Sequence, residues 1–142
     1  MIKIEELKNV TTKALEEINV LLPQVSRSGA TTTYAALLDF IKDPNVTLLI
    51  AKEGGAIIGM GTLVVVHTIS GKRGKLEHLV IDGSHRGQGL GKLLSEKLIA
   101  IAREQKVKRL ELTSGSDREA ANALYQKLGF KKYETNIYKM EL

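Results

Sequence analysis

The stretch HRGQGLGKLL, residues 85–94, places three glycines at alternate positions directly before a run with helical leucine spacing. The residues before it, KLEHLVID, are typical of a strand, so the glycines occupy a strand-to-helix turn. The first turn of a helix carries unpaired backbone N–H groups and a partial positive charge, which attract an anion. Glycine leaves those groups open to a bulky pyrophosphate. The stretch therefore predicts an anion-binding turn, with Arg86 adding a fixed charge.

Spacing separates the glycine motifs that can occupy such a turn. A P-loop requires G-x-x-x-x-G-K-S/T, but the first glycine and the hydroxyl residue are both missing here. The dinucleotide fingerprint G-x-G-x-x-G finds no third glycine at the required spacing. The pattern Q/R-x-x-G-x-G/A is matched by Arg86, Gly89 and Gly91.

Size and composition are typical of one globular domain, with 142 residues of which 43% are hydrophobic. The absence of cysteine excludes disulfides, thiolate zinc sites and a cysteine nucleophile. The start, MIKIEELKN, alternates apolar and charged residues, unlike a secretory signal. The longest mostly apolar run, residues 55–66, is shorter than the roughly 20 residues of a spanning helix. We therefore expect a single domain, residues 1–142, located in the cytoplasm and without a membrane partner.

The net charge of +5 is unevenly distributed. Lys and Arg number 6 against 7 acids in residues 1–70, but 15 against 9 in residues 71–142. This excess favours an anionic partner: nucleic acid, membrane or a phosphorylated small molecule. Interleaved acids and an aromatic content of 4% speak against a nucleic-acid surface.

Hydrophobic periodicity and turn residues predict a mixed α/β sheet covered by helices. In chain order, the predicted elements are a strand over residues 1–7, a helix from Thr11 or Thr12 to Pro23, a helix from about Thr33 to Ile41, two strands over 46–69 joined by a turn at 53–55, a turn SGKRG at 70–74, a strand over 74–82, a helix over 90–105, a strand over 107–114, a helix from Asp117 to Leu128, and one or two strands in 130–142. The strands 74–82 and 107–114, joined by the helix, form a βαβ unit and should be parallel.

Two stretches, LVIDGSHRGQGLGKLLSEKLIAIA and LELTSGSDREAANALYQKLGF, together resemble the GNAT superfamily of acetyl-CoA-dependent N-acetyltransferases. The resemblance is close over residues 74–142 and looser over residues 1–73. It implies an α+β (mixed α/β) fold with a mostly antiparallel sheet of six or seven strands, a V-shaped splay between strands four and five, and about four helices. It also implies acetyl-CoA as cosubstrate and no metal, and it allows a homodimer through the C-terminal strands.

The resemblance assigns residues to the coenzyme. The strand before the glycines would bulge and bind pantetheine and the acetyl carbonyl through Leu79, Val80 and Ile81, with the Leu79 N–H holding the oxyanion. Asn122 would contact the pantetheine arm. The pyrophosphate would be bound by Arg86, Gly87, Gln88, Gly89, Leu90, Gly91 and Lys92.

Acetyl transfer needs a base for the amine, whose pKa is about 10.4, and an acid for the departing thiolate, whose pKa is about 8.5. The resemblance makes Tyr125 the acid; Tyr125 and Asn122 lie three apart on one helix and can face the groove between the two parallel strands. Glu77 is the candidate base, directly or through a water, and His67 is the alternative. Regular strand alternation would place His78 on the opposite face from Glu77.

The predicted function is direct, ordered transfer of an acetyl group to the primary amine of a small molecule or peptide. Residues 20–35, the strand end near His67 and the SGKRG turn should select the acceptor. His78, Asp82 and His85 are too widely spread for a metal site. Two alternatives stay open: a basic nucleic-acid-binding module, and a fold that binds acyl-CoA without catalysis.

Overall fold

A five-stranded sheet organises residues 1–112 in the computed structural model, which describes residues 1–142. The strands lie side by side in chain order, β1 to β4 antiparallel and β5 parallel to β4. They are β1 (Ile2–Glu6), β2 (Val46–Glu53), β3 (Ala56–Thr68), β4 (Gly71–Ile81) and β5 (Arg109–Glu111). Residues 113–142 form a second compact unit.

Four α-helices are present, as the resemblance predicts. Threonine begins the first two: Thr11 Oγ1 accepts a hydrogen bond from Ala14 N at 3.0 Å, and Thr33 Oγ1 from Ala36 N at 3.2 Å. The helices are α1 (Thr12–Leu21), α2 (Tyr34–Lys42), α3 (Leu90–Glu104) and, in the second unit, α4 (Glu119–Lys127). None of them combines the length and the apolar character needed to cross a bilayer.

Helices cover both faces of the sheet. Met60 of β3 packs into a cluster with Ile18 of α1 and Leu37 of α2. Its neighbour Gly61 faces Leu98 of α3. Because successive strand residues point to opposite faces, α1 and α3 lie on opposite sides of β3. The mixed, mostly antiparallel sheet and the parallel βαβ unit are thus confirmed.

Three predicted details are wrong. The sheet has five strands rather than six or seven, because residues 131–142 are exposed and form no strand. The SGKRG turn is shorter than expected: β3 and β4 pair as far as Thr68 and Gly71, so only two residues turn and the rest extend the ladder. The strand predicted over 107–114 is limited to β5, because Lys106 takes a φ of +62° and the Val107 N–H bonds to Ala102 O at the end of α3. That residues 1–142 form one domain stays a prediction.

Candidate active site

The two parallel strands separate after a short ladder. They pair at three positions, from Arg73–Arg109 to Lys75–Glu111. Their approach is close there, since a Cβ on Gly74 would lie 2.7 Å from Leu110 Cδ2. Beyond this point β4 has a strand neighbour only on the β3 side. β5 ends at Glu111 while β4 continues to Ile81, so this edge of β4 is free of a strand neighbour, as the predicted V-shaped splay requires.

A bulge interrupts β4 beside the splay. Thr62 pairs with Glu77 and Met60 with Val80, so two residues of β4 lie opposite Gly61 alone. One of them, His78, has a φ of +50°. Thr62 Oγ1 donates to the Glu77 carbonyl oxygen at 2.8 Å and fixes the near side of the bulge. Regular alternation along β4 was expected to set Glu77 and His78 on opposite faces. The bulge interrupts that alternation, so the premise is wrong, and both residues are exposed.

The bulged Leu79 fills the space that Gly61 leaves. A Cβ on Gly61 would lie 2.8 Å from Leu79 Cδ1 and 3.0 Å from Leu98 Cδ1. Leu79 and Ile81 are half-buried, whereas Val80 is buried in the core. Val80 can therefore offer a ligand only its backbone.

The glycine turn presents unobstructed backbone at the start of α3. Gly87 and Gly89 have φ values of +81° and +77°, and a Cβ at either position would meet no heavy atom within 4 Å. Gly89 is the N-cap residue and no side chain caps the helix. Arg86 is exposed, and its Nε donates to the Ile81 carbonyl oxygen at 3.3 Å. The helix thus starts without a side-chain cap, beside open space at both glycines and an exposed cation, an arrangement that suits a phosphate group.

A polar network between β4 and the glycines was missed by sequence reasoning, which weighed Asp82 and His85 only as metal ligands and rejected that site. Asp82 Oδ2 accepts from Ser84 Oγ at 2.6 Å, and Asp82 Oδ1 from Gln24 Nε2 at 3.3 Å. His85 Nδ1 lies 3.0 Å from Ser84 Oγ, and His85 Nε2 lies 3.2 Å from Glu53 Oε1. The bonds from Ser84, and then from Gln24, lower the pKa of the Asp82 carboxyl below its ordinary value.

The two candidate bases lie far apart along the hairpin. Glu77 is exposed, with Oε1 3.7 Å from Lys75 Nζ, and its ladder partner is Thr62. His67 lies five residues farther along β3, opposite Lys72. At about 3.3 Å per residue the separation is roughly 16 Å. Glu77 and His67 therefore cannot serve one reacting atom together.

Asn122 and Tyr125 both lie on α4 in the second unit. Asn122 Nδ2 donates to the Gly115 carbonyl oxygen at 3.0 Å, so this amide also holds the segment before the helix. Tyr125 is buried and contacts Phe130 edge-to-face, with ring centroids 6.1 Å apart. Burial raises the pKa of Tyr125, and the charge of Arg118 opposes that rise. Tyr125 therefore keeps its proton at neutral pH. In the same unit Ser114 Oγ is buried without a hydrogen-bond partner.

Among curated proteins, human N-acetyltransferase 8 is 39% identical to this chain over 85 residues. The aligned part is 58% of this chain and 37% of the relative. The chain therefore spans less than half the length of that relative.

Solved structures with the same fold cover the whole chain. A transcriptional regulator from Bacillus halodurans has a TM-score of 0.83 at 26% identity, with both chains covered completely. The structure of AAC(6')-Iy in complex with the bisubstrate analogue CoA-S-monomethyl-acetylneamine has a TM-score of 0.80 at 19% identity, covering 100% of this chain and 99% of its own. At 19% identity the likeness shows the fold alone. The model of the acetyltransferase (GNAT) family matches residues 13–130, a range that includes the splay, the bulge, the glycine turn and α4. The chain therefore belongs to the GNAT family of acetyltransferases.

Proposed function

We propose that this chain transfers the acetyl group of acetyl-CoA to a primary amine, by direct and ordered transfer. The observation that carries the proposal is the uncapped start of α3, where two glycines with positive φ leave the backbone N–H groups open. This helix start follows β4, and beyond Lys75 the edge of β4 on the β5 side has no strand partner. Together they suit a ligand with an anionic end and an amide-bearing arm.

The residues present fit the coenzyme. The turn from Arg86 to Gly91, with Lys92 on the first turn of α3, supplies N–H donors and two cations for a pyrophosphate. The free edge of β4 at residues 79–81 supplies backbone groups for pantetheine amides, and the family resemblance assigns Asn122 to the same arm. The coenzyme analogue bound to AAC(6')-Iy supports this choice. No metal is required.

Acetyl-CoA supplies an activated acetyl thioester, and the chain's own groups handle charge and protons. Glu77 accepts a proton from the acceptor ammonium, directly or through a water, so that the amine can attack. The Leu79 N–H stabilises the negative charge on the carbonyl oxygen. As the carbon–nitrogen bond forms and the carbon–sulfur bond breaks, Tyr125, the acid that the family resemblance assigns, gives its proton to sulfur. The phenolate then takes up the second proton, which the acetylated nitrogen loses. The raised pKa keeps the phenol protonated at neutral pH, so a proton is available when the sulfur departs.

The acceptor is a small-molecule or peptide amine, and the segment between α1 and α2 selects it. This segment approaches the coenzyme turn through Gln24, whereas His67 and the β3–β4 turn lie at the far end of the hairpin. The exposed apolar side chains Ile137, Met140 and Leu142 suit self-association as a homodimer. Sedimentation velocity over a concentration series tests this, and a constant monomer would contradict it.

The transfer is tested by incubating the chain with acetyl-CoA and a panel of amines while following free thiol. Thiol release that requires an amine is expected, and Tyr125→Phe should lower kcat by roughly 10²-fold or more. Tyr133→Phe is the matched control, because Tyr133 is exposed, and it should leave kcat unchanged. Coenzyme A that binds without turnover for any amine would favour the non-catalytic acyl-CoA-binding alternative.

A nucleic-acid-binding role is the second candidate, favoured by the basic second half and by the structural likeness to the Bacillus transcriptional regulator. Four of the cations near the β3–β4 turn are, however, already engaged, although Arg73 is exposed. Lys72 Nζ and Lys108 Nζ donate to backbone carbonyl oxygens, while Lys75 and Arg109 pair with acids. Binding to DNA or RNA that falls steeply with salt, without binding to coenzyme A, would reverse the ranking.

A further inference from the structure

The segment between α1 and α2 is closed at its base by one side chain. Asn19 Nδ2 donates to the Thr32 carbonyl oxygen at 3.0 Å, and Asn19 Oδ1 accepts from the Thr32 N–H at 2.8 Å. The two bonds join positions 13 residues apart. We call residues 19–32 the closed loop. Because its ends are fixed, a contact at one point restrains the whole loop.

The closed loop touches the coenzyme turn through one carboxylate. Gln24 Nε2 donates to Asp82 Oδ1, across 58 residues of sequence. The other oxygen, Asp82 Oδ2, accepts from Ser84 in the turn. The Asp82 N–H donates to the Ile58 carbonyl oxygen at 2.8 Å, so the backbone of Asp82 is held by β3. One residue anchored on the sheet therefore bonds to both segments.

The turn itself is anchored at a second point. His85 reaches Glu53 at the end of β2, while the His85 N–H donates to the Asp82 carbonyl oxygen at 2.9 Å. The bonds from Ser84 and Gln24 favour the charged carboxylate and so lower the pKa of Asp82, and hydrogen bonds to a charged acceptor are stronger than those to a neutral one. The turn is thus joined to Asp82 by a side-chain bond from Ser84 and a backbone bond from His85.

We propose that Asp82 is a positioning residue that couples the closed loop, residues 19–32, to the coenzyme turn, residues 83–91. The proposal rests on the proposed function, in that the turn binds coenzyme A. A ligand that stiffens the turn holds Ser84, and through it the Asp82 carboxylate to which Gln24 bonds. By thermodynamic reciprocity, the bond from the closed loop also favours the binding geometry of the turn.

Hydrogen–deuterium exchange of the full chain, with and without saturating coenzyme A, tests the coupling. Coenzyme A should slow exchange in residues 86–92 and also in residues 20–32. In Asp82→Ala and Gln24→Ala, coenzyme A should still protect residues 86–92 but should no longer protect residues 20–32. Asp82→Asn keeps an oxygen acceptor for Gln24, and its amide nitrogen can donate to Ser84 Oγ, so this variant should preserve both protections. Calorimetry should show coenzyme affinity lowered by about three- to tenfold in Asp82→Ala, as expected for the loss of such hydrogen bonds.

Asp43→Ala is the matched control, because Asp43 Oδ1 also accepts a turn N–H, from Asn45 at 2.8 Å, but joins no second segment. It should change neither protection. The coupling is refuted if coenzyme A protects the turn but not residues 20–32, or if Asp82→Ala and Gln24→Ala retain the loop protection. Coenzyme A that protects neither segment in the unaltered chain overturns the coenzyme site itself and the coupling with it. Gln24→Ala leaves the bonds of Asp82 within the turn intact, so a poorly folding Asp82→Ala would not prevent the test.

Discussion

Gly89 is required for two reasons, its positive φ and the open space at its Cβ position. Its φ of +77° disfavours any L side chain, and the space where a Cβ would lie is open. Gly89→Ala should therefore lower the free energy of unfolding by about 1 kcal/mol through backbone strain. Coenzyme A affinity should fall at least about tenfold, because the methyl group also blocks an anion from the first-turn N–H groups. Thermal denaturation and calorimetry measure the two effects.

Gly54→Ala is the control that separates backbone strain from obstruction of the coenzyme site. Gly54 has a φ of +57° and nothing within 4 Å of its Cβ position, but it lies in the β2–β3 turn. It should lose similar stability while binding coenzyme A as the unaltered chain does. Equal loss of affinity in both variants would show that the glycine turn is not the anion site.

The buried phenol of Tyr125 should make stability depend on pH in the alkaline range. Its pKa is raised above 10.0 in the folded chain, so the unfolded chain loses this proton first. The contribution is complete below pH 10.0 and declines as pH rises through the folded pKa. Relative to Tyr125→Phe, the unaltered chain should show a constant difference in unfolding free energy below about pH 9 and a growing loss above pH 10.

Denaturant titrations at each pH provide this comparison. Tyr138→Phe, at an exposed position, should track the unaltered chain throughout. Stability curves of the unaltered chain and Tyr125→Phe that stay parallel into the alkaline range would contradict a raised pKa for Tyr125.

The parts of the candidate site that depend on residues close together in the sequence could be predicted. The glycine spacing and Arg86 fall within one short stretch, so the open glycine turn before α3 could be predicted from the sequence, while its binding of an anion stays a prediction. The Asp82 network was not, because Gln24 lies 58 residues from Asp82 and Glu53 lies 32 residues from His85. Polar residues between a strand and a turn give no indication of partners that only the fold brings near.

At the scale of elements, the bulge in β4 depends on a glycine in its neighbour. Gly61→Ala would set a Cβ 2.8 Å from Leu79 Cδ1 and 3.0 Å from Leu98 Cδ1. Either leucine must shift, and overpacking of this kind costs about 1–3 kcal/mol. We expect the free energy of unfolding to fall by that amount in chemical denaturation.

A double-mutant cycle identifies Leu79 as the obstacle. Leu79→Ala removes the nearer atom, so Gly61→Ala should cost less in that background than in the unaltered chain. Additive effects would mean that the bulge does not depend on the small residue at position 61.

Helices and strands could be predicted where their limits depend on local sequence, and not where those limits depend on pairing between strands. Thr11 and Thr33 begin their helices as expected, because capping is a local interaction. The predicted β3–β4 turn is too long, because the glycines and lysine of SGKRG are typical of loops. In the structure most of these residues pair with β3. The bulge at His78 was expected only through the family resemblance, since strand periodicity alone predicts regular alternation.

For the whole molecule, the two candidate ligand classes predict different responses of thermal stability. A ligand that binds only the folded chain stabilises it by about 2.7 kcal/mol at 100 times its Kd. For a chain of this size, coenzyme A should therefore raise the Tm by roughly 10 °C. Gly89→Ala should lose most of this shift at the same concentration. A mixed-sequence DNA duplex should give a shift that disappears as salt rises, if it gives one at all. Coenzyme A without effect on the Tm, beside a salt-sensitive shift with DNA, would favour the basic surface over the glycine turn as the binding site.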